Sequence, residues 1–344
     1  MTSDFGHLEG KRVFVTGASG SLGRHFIRAL LEGTKGACAV AYIRNEMQQA
    51  RLGQWLAPWR SRLRLFLGDV REPDRIEQAM YGCDVVVHAA ALKRVGDTAI
   101  HPYELVKTNV LGTKYVLDAA VTLQVPRVLI ITSDKSVEAA NAYGVSKAAA
   151  EMLAVAWNIY SHARGVNISC LRYGNCVGSR GSVAHVWKRA VLAGEPLLIT
   201  DAAMTRFWLS LDHAVEWVAH CLRVMRGADI FIPKLPAMEL GKVALAAMHA
   251  FGQGPAHHTT RFTGKRPGGE KRNETLLSEH ESDRAVDLGP LWVIEPDWEL
   301  PRDREPWEGS RCPEGFRYRS DAPERWLTVE EMAEWLRAMP EEAG

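Results

Sequence analysis

Thr16-Gly17-Ala18-Ser19-Gly20-Ser21-Leu22-Gly23 stands between a short apolar run, residues 12–16, and a stretch with Phe26, Ile27, Leu30 and Leu31 at helical spacing. Three glycines where a strand meets a helix let backbone N–H groups approach a pyrophosphate at the positive helix terminus. Residues 12–31 are long enough to hold both elements, so the loop reads as a dinucleotide cradle. Working outward, strand-like runs recur at 37–43, 63–67, 85–88, 128–132 and 167–171. Helical patterns fill the gaps at 45–56, 73–80, 103–123 and 143–161. Strand and crossover repeated in this way predict an α/β protein, a doubly wound parallel sheet with helices on both faces. The expected division is 1–180 for dinucleotide binding and 181–344 for a smaller α/β substrate lobe and tail, with room for the two to interleave. In the second part helices are expected at 183–193, 212–225 and 240–249, then a tract without sustained period at 254–325. A final helix is expected after Leu327, with Thr328 as its N-cap and Glu330 and Glu331 in its first turn.

Composition narrows the class. The 344 residues are 47% hydrophobic and 24% charged, ordinary globular values that exclude a disordered or collagen-like chain. Lys plus Arg number 42 against 41 Asp plus Glu, which gives nucleic-acid binding no support. No apolar run approaches the ~18 residues of a membrane span, and the polar N-terminus is unlike a signal peptide. The six cysteines form no C-x-x-C pair and read as reduced thiols of a cytoplasmic protein. His257 and His258 lack metal-ligand spacing, so no metal is expected.

The choice of dinucleotide turns on the end of the second strand. An NAD site usually carries Asp or Glu there for the ribose hydroxyls; this chain has Tyr42-Ile43-Arg44-Asn45. Arg44 suits a 2′-phosphate, which favours NADP with NAD as the alternative. Asp69, after the third strand, is placed to accept from the adenine amino group. Ser133-Asp134-Lys135 closes a later strand, and Tyr143 and Lys147 follow, four apart on one helix face. A nearby ammonium favours the phenolate; lowering a phenol from about 10 to about 7 takes roughly 4 kcal/mol. Such a tyrosine can take the proton of a sugar hydroxyl as hydride leaves for a nicotinamide.

With these residues in view, the chain resembles the extended short-chain dehydrogenase/reductases, and among them the inverting UDP-N-acetylglucosamine 4,6-dehydratases of the pseudaminic-acid pathway. The segments that carry the resemblance are Gly68–Arg71, His88–Lys93, Lys107–Asn109, Ser133–Lys135, Tyr143 to Lys147, Arg172–Asn175, Gly178–Ser182, Met204–Trp208 and Arg266-Pro-Gly. The tail, Phe316 to Leu327, is similar too. The resemblance implies a Rossmann-type fold whose NADP site includes Gly17, Ser19, Gly20, Ser21, Leu22, Gly23, Arg44, Asp69, Val70, Ala89, Ala90 and Lys93, with Tyr143 and Lys147 at the nicotinamide end. It implies that Lys93, Asn175, Arg180, Gly181, Ser182, Arg206 and Arg266 hold a UDP-hexose, and that the enzyme is a homo-oligomer, dimer or hexamer. Ser133, Asp134, Lys135, Tyr143 and Lys147 would be catalytic. There are departures: Gln48 replaces a lysine after the second strand, and Arg266-Pro-Gly-Gly-Glu270 is one glycine longer than the family's motif.

The expected activity is a redox-neutral hydro-lyase. Tyr143, helped by Ser133 and Lys147, takes the C4 hydroxyl proton; Lys135 takes the C5 proton and Asp134 protonates the departing C6 hydroxyl. A UDP-sugar 4-epimerase of the same fold is the alternative, but it needs no acid and base after Ser133. A non-catalytic NADP-sensing protein could dispense with Tyr143 and Lys147.

Overall fold

A computed structural model of the chain describes residues 4–93, 100–252, 254, 258–264, 269–297 and 305–341. β1 (Arg12–Thr16) runs into the glycine turn, and α1 (Ser21–Gly33) returns along the sheet to β2 (Cys38–Ile43). α2 (Glu46–Trp55), β3 (Leu63–Leu67), α3 (Pro73–Met80) and β4 (Val85–His88) follow. Next come α4 (Pro102–Leu105) and α5 (Gly112–Thr122), β5 (Arg127–Ile131), α6 (Ala142–Ala156), α7 (Asn158–Ser161) and β6 (Asn167–Leu171). The strands lie in the order β3-β2-β1-β4-β5-β6, all parallel, with Thr16 beside Tyr42 on one side and His88 on the other. Chain order reverses between β1 and β4, so the carboxyl ends of those strands open a crevice at the switch point. Apolar residues of both sheet faces are buried, Phe14, Val40 and Val86 on one side and Val13, Val15 and Ala39 on the other. The near-continuous hydrophobic strands have this cause.

The second half both extends the sheet and builds a separate layer. β7 (Asn175–Cys176), α8 (Val183–Ala193), β8 (Leu197–Ile199), β9 (Thr205–Leu209) and α9 (Leu211–Val224) lead to β10 (Ile230–Pro233), which pairs parallel with β6. β11 (Ala237–Glu239), α10 (Leu240–Phe251), β12 (Thr260–Phe262) and β13 (Thr275–Leu277) belong to the smaller layer. β14 (Ala285–Asp287), β15 (Leu291–Ile294) and β16 (Ser310–Arg311) then add antiparallel strands beyond β10, and β17 (Tyr318–Arg319) pairs with β13. Within the tract at 254–325 the described residues thus include several short strands and a helical turn at Glu279–Arg284 rather than one irregular segment, and the polypeptide crosses between layers more than once. α11 (Val329–Ala338) closes the chain. Thr328 accepts from the Glu331 N–H while Glu331 reaches back to the Thr328 N–H, a reciprocal cap.

Two long helical expectations break in the structure. Residues 103–123 pass through π turns at Val106–Leu111. Asn109, buried there, clamps the loop after β4: its side chain accepts from the Leu92 N–H at 2.8 Å and donates to the Leu92 carbonyl at 3.0 Å. Such a wide turn aims one side chain where a regular helix would not. Residues 143–161 divide after Ala156, where the Asn158 side chain donates to the carbonyls of Ala154, Val155 and Ile168.

Candidate active site

A cleft of about 1110 Å³ runs across the carboxyl ends of the parallel strands. It is lined by every site residue expected from the sequence except Asp134, which is fully buried behind the wall, and Arg266, which lies outside the described residues. The cleft has two chemically different ends.

The first end is the glycine loop. Gly17 adopts φ +64°, and a Cβ there would come within 2.7 Å of the Ala89 backbone, so only glycine lets the loop settle on β4. Gly20 is the N-cap of α1 and brings no side-chain cap, so the first-turn N–H groups of a 13-residue helix face the cleft. That arrangement suits a pyrophosphate. Thr16 stiffens the floor. Its hydroxyl lies 2.7 Å from His88 Nδ1 and accepts from the Ala90 N–H at 3.2 Å. Burial lowers His88 to about 3, with Lys147 adding to the effect, so this imidazole is neutral. Ser19 donates to Gln48 at 2.8 Å. Arg180, expected on the sugar nucleotide, stands over the glycine loop: its N–H donates to Ser21 Oγ at 2.8 Å and its guanidinium to the Ser19 carbonyl at 3.5 Å. Arg44, 58% exposed, leaves β2 at the rim and lies 3.9 Å from Asp69. The Asp69 carboxylate is largely taken by Arg71, with contacts of 2.7 and 3.0 Å. Burial works against that charge, but Arg71 outweighs it and holds Asp69 below its usual value.

The second end is a cage of charge. Ser133 ends the β5 segment, donates to Asp134 Oδ1 at 2.7 Å and hydrogen-bonds the Tyr143 hydroxyl. Lys135 Nζ donates to Asp134 Oδ1 and to Asn175 Oδ1, both at 2.9 Å, with Glu274 at 3.8 Å. Asp134 Oδ2 has no hydrogen-bond partner. Burial pulls Lys135 down, but the Asp134 and Glu274 carboxylates outweigh it and hold the ammonium above its ordinary value. Arg206, 4% exposed, is fixed by the Thr205, Lys271 and Arg272 carbonyls and by Glu270 at 3.3 Å. Lys271 Nζ lies 2.8 Å from Glu274 and donates to the Val137 carbonyl at 2.8 Å. The departure at 266–270 thus still delivers Glu270 and Lys271 to the cleft wall.

Tyr143 and Lys147 join the two ends. Asn141 caps α6 by accepting from the Gly144 N–H, and a Cβ at Gly144 would meet the Lys135 carbonyl at 2.4 Å, so the helix start abuts the 134–136 turn. Burial pushes the Tyr143 phenol up to about 12; the Lys135 ammonium and the Ser133 hydrogen bond oppose it and Asp134 adds to it. Lys147 was expected to be the cation acting on this phenol. In the structure that cation is Lys135, and the Lys147 ammonium donates instead to the Ile131 carbonyl at 2.5 Å. Burial lowers Lys147 to about 8, against Cys170 and Glu151.

Glu274 and Glu151 escaped the sequence reading. Glu151 had a usable signal, since it lies four residues after Lys147 on the same face. Glu274 had none, because its place depends on a fold-back of 139 residues from Lys135. Among the described residues no three His, Cys, Asp or Glu groups gather as a metal site. No described helix is long and apolar enough to cross a membrane.

Comparison with known proteins places the chain in a family. Residues 13–296 match the model of a family described as polysaccharide biosynthesis protein. The chain belongs to this family. It is 34% identical over 333 residues to the UDP-N-acetylglucosamine 4,6-dehydratase (inverting) of Campylobacter jejuni, covering 94% of this chain and 97% of that one. It is 36% identical over 297 residues to the UDP-glucose 4-epimerase of Rickettsia typhi, covering 83% of each. Among solved structures, Pen from Bacillus thuringiensis superimposes with a TM-score of 0.87 at 27% identity, covering 95% of this chain and 97% of that one. DesIV, the dTDP-glucose 4,6-dehydratase of Streptomyces venezuelae, gives 0.62 at 23% identity over 74% of this chain and 88% of its own, which speaks for the fold alone.

Proposed function

We propose that this family member is a UDP-N-acetylglucosamine 4,6-dehydratase of the inverting kind, a hydro-lyase that removes water from a UDP-hexose. The single observation that carries the reading is the Asp134–Lys135 ion pair beside Tyr143, in one cleft with the glycine loop. Gly17–Gly23, Asp69, Val70 and Ala89 to Lys93 would hold a nicotinamide dinucleotide, and Arg44 supports NADP. Arg180 would meet its pyrophosphate, while Asn175, just after β6, and Arg206 and Lys271 of the 181–344 lobe would face the UDP-sugar. When bound, the nicotinamide would accept hydride from C4 and return it at C6.

The protein's own residues do the proton chemistry. Tyr143 takes the C4 hydroxyl proton as the phenolate. The Lys135 ammonium and the Ser133 hydrogen bond favour that form against burial, and the positive ring of a bound oxidised nicotinamide would favour it further. The resulting ketone acidifies C5–H, which needs a base, while the C6 hydroxyl needs an acid. At rest the pair is ammonium and carboxylate. Moving one proton along the 2.9 Å contact gives the Lys135 amine and the Asp134 acid together. Lys135 then takes the C5 proton. Asp134 gives its proton to the departing C6 hydroxyl through Ser133 Oγ, which touches its carboxylate and lines the cleft. Water leaves with Lys135 again ammonium and Asp134 again carboxylate. As hydride would return at C6, the proton that Tyr143 took from the C4 hydroxyl is given to C5. That proton is exchangeable and is deuterium in deuterium oxide, and the turnover closes with Tyr143 again a phenolate.

Epimerase relatives favour a second reading, a UDP-sugar 4-epimerase, which would use Tyr143 but not the Asp134–Lys135 pair. Incubation with UDP-N-acetylglucosamine and with UDP-glucose decides between them by mass spectrometry. The dehydratase loses one water, and in deuterium oxide the product carries deuterium at C5 in the L-arabino configuration. A product of unchanged mass would make the chain an epimerase; a D-xylo product would leave the lyase and remove the inversion. The reading also carries a cytoplasmic homo-oligomer. Exposed Val145, Met152 and Ile159, seven apart along α6 and α7, support pairing through that face.

A further inference from the structure

Behind the cleft lies a buried network that the proton chemistry above does not use. Glu151, one helical turn past Lys147 on α6, is 6% exposed and accepts from Thr132 Oγ1 at 2.7 Å. Thr132 stands between Ile131, whose carbonyl holds Lys147, and Ser133. Both Glu151 oxygens face Arg172 at the end of β6, with Oε2 at 3.1 Å from its Nε. Arg172, 2% exposed, donates onward to the Leu276 carbonyl at 2.8 Å and to both Glu281 oxygens at 2.8 and 3.1 Å. Glu281 also accepts from the Ser278 N–H and hydroxyl. One carboxylate thus ties together the catalytic helix, the β5 edge, the β6 end and the segment that follows β13.

We propose that Glu151 is a positioning residue for the hydride step: one helical turn from Lys147, it favours the ammonium and through Thr132 fixes the end of β5 whose Ile131 carbonyl that ammonium meets, and Arg172 and Glu281 fasten it to the segment after β13. The inference rests on Tyr143 as the C4 base proposed above and on Lys147, which lines the same cleft from the Ile131 carbonyl, as the cation that would anchor the nicotinamide ribose beside it. The groups facing Lys147 are Glu151 on its own helix, Cys170 on β6, the neutral His88 on β4 and the Ile131 carbonyl on β5. Among them Glu151 is the one fixed negative charge. Without it, Lys147 would face only neutral groups and, beyond them, an Arg172 with one carboxylate fewer to balance it. The ammonium would then give up its proton more readily.

The test measures single-turnover cofactor reduction against pH with UDP-N-acetylglucosamine. In the unsubstituted enzyme the rate falls on the alkaline side as Lys147 loses its proton, near about 8. In Glu151→Gln that fall moves about one pH unit lower, making the step about twofold slower at pH 7 and approaching tenfold slower by about pH 9, with KM for the sugar nucleotide within about twofold. Glu281→Gln, farther out, moves it the same way by less, and Glu151→Asp restores most of the position. A second readout needs no cofactor. Lys147 sits below its unfolded value, so above its folded pKa the unfolded chain binds more protons and urea stability climbs with pH. That climb should begin about one unit lower in Glu151→Gln. Profiles that superimpose on the unsubstituted ones while stability drops would overturn the proposal and leave Glu151 as packing. If Glu151→Gln does not fold, Glu281→Gln decides by the same two criteria. Tyr143→Phe keeps the two questions apart: undiminished cofactor reduction there would sink the assigned hydride chemistry, whereas its loss alongside unmoved Glu151→Gln profiles sinks this inference alone.

Discussion

The two ends of the cleft are built from different materials. The glycine-loop end is made of backbone from one continuous stretch, where Gly17, Gly20 and the start of α1 do their work within seven residues. The cage end is made of charged side chains and one amide from four separated segments: Asp134 and Lys135, the Asn175 amide, Arg206, and Glu270 to Glu274. A backbone cradle fails when a single Cβ intrudes. A charge cage fails when one partner is lost and another is left buried and unpaired. The two ends should therefore respond differently to substitution.

The largest contrast is expected at the cage. Asp134→Asn keeps the shape of the side chain and removes the acid, so water elimination should fall by about 10³-fold. The glycine loop and Tyr143 are untouched, so single-turnover cofactor reduction should stay within a few-fold. Reduced cofactor would then accumulate, visible by its near-ultraviolet absorbance. Equal loss of both steps would mean that the ends are not separable. Gly17→Ala attacks the other end. The new Cβ meets the Ala89 backbone at a left-handed φ, and such strain costs on the order of 1–3 kcal/mol. Cofactor affinity, read by calorimetric titration, should fall by about 10²-fold, and both chemical steps should fall with it. Retained affinity would mean that the loop does not need its backbone path.

The same division explains what could be read from the sequence. The alternation of strands and helices through 171 was legible because the parallel strands, apart from the partly exposed edge strand β3, are buried on both faces and announce themselves locally. The glycine loop and the Tyr143–Lys147 pair were legible because turn and helix geometry fix their partners within a few residues. Of the cage, residue patterns alone gave only the Ser133–Lys135 segment; Asn175 and Arg206 came from the resemblance, and Glu274 from neither. Glu274 reaches Lys135 through β13 and β17 pairing, and nothing near residue 274 marks that meeting. Arg180 shows the limit of a resemblance: its motif was clear, yet the Ser21 and Ser19 contacts that hold it over the loop arise from tertiary packing. The expected influence of Lys147 on the phenol failed for a related reason. Spacing put the two on one helix face, but the ammonium found the Ile131 carbonyl.

The smallest expected effect lies at the rim, where backbone cradle and side-chain charge meet. Arg44 follows β2 and is more than half exposed, and Asp69 at 3.9 Å makes only a loose ion pair with it, because Arg71 holds that carboxylate more closely. The guanidinium is thus available to a 2′-phosphate without breaking a buried contact. Solvent screens it, which limits what one such contact contributes. Arg44→Ala should weaken NADP binding by about tenfold, at the low end for a charge-assisted hydrogen bond, and should leave NAD binding within about twofold. Two calorimetric titrations on each protein give the ratio, and repeating them at higher salt should shrink it. If NAD and NADP weaken equally, Arg44 holds a part common to both cofactors, and the discrimination must come from Ser19 and Gln48 across the loop.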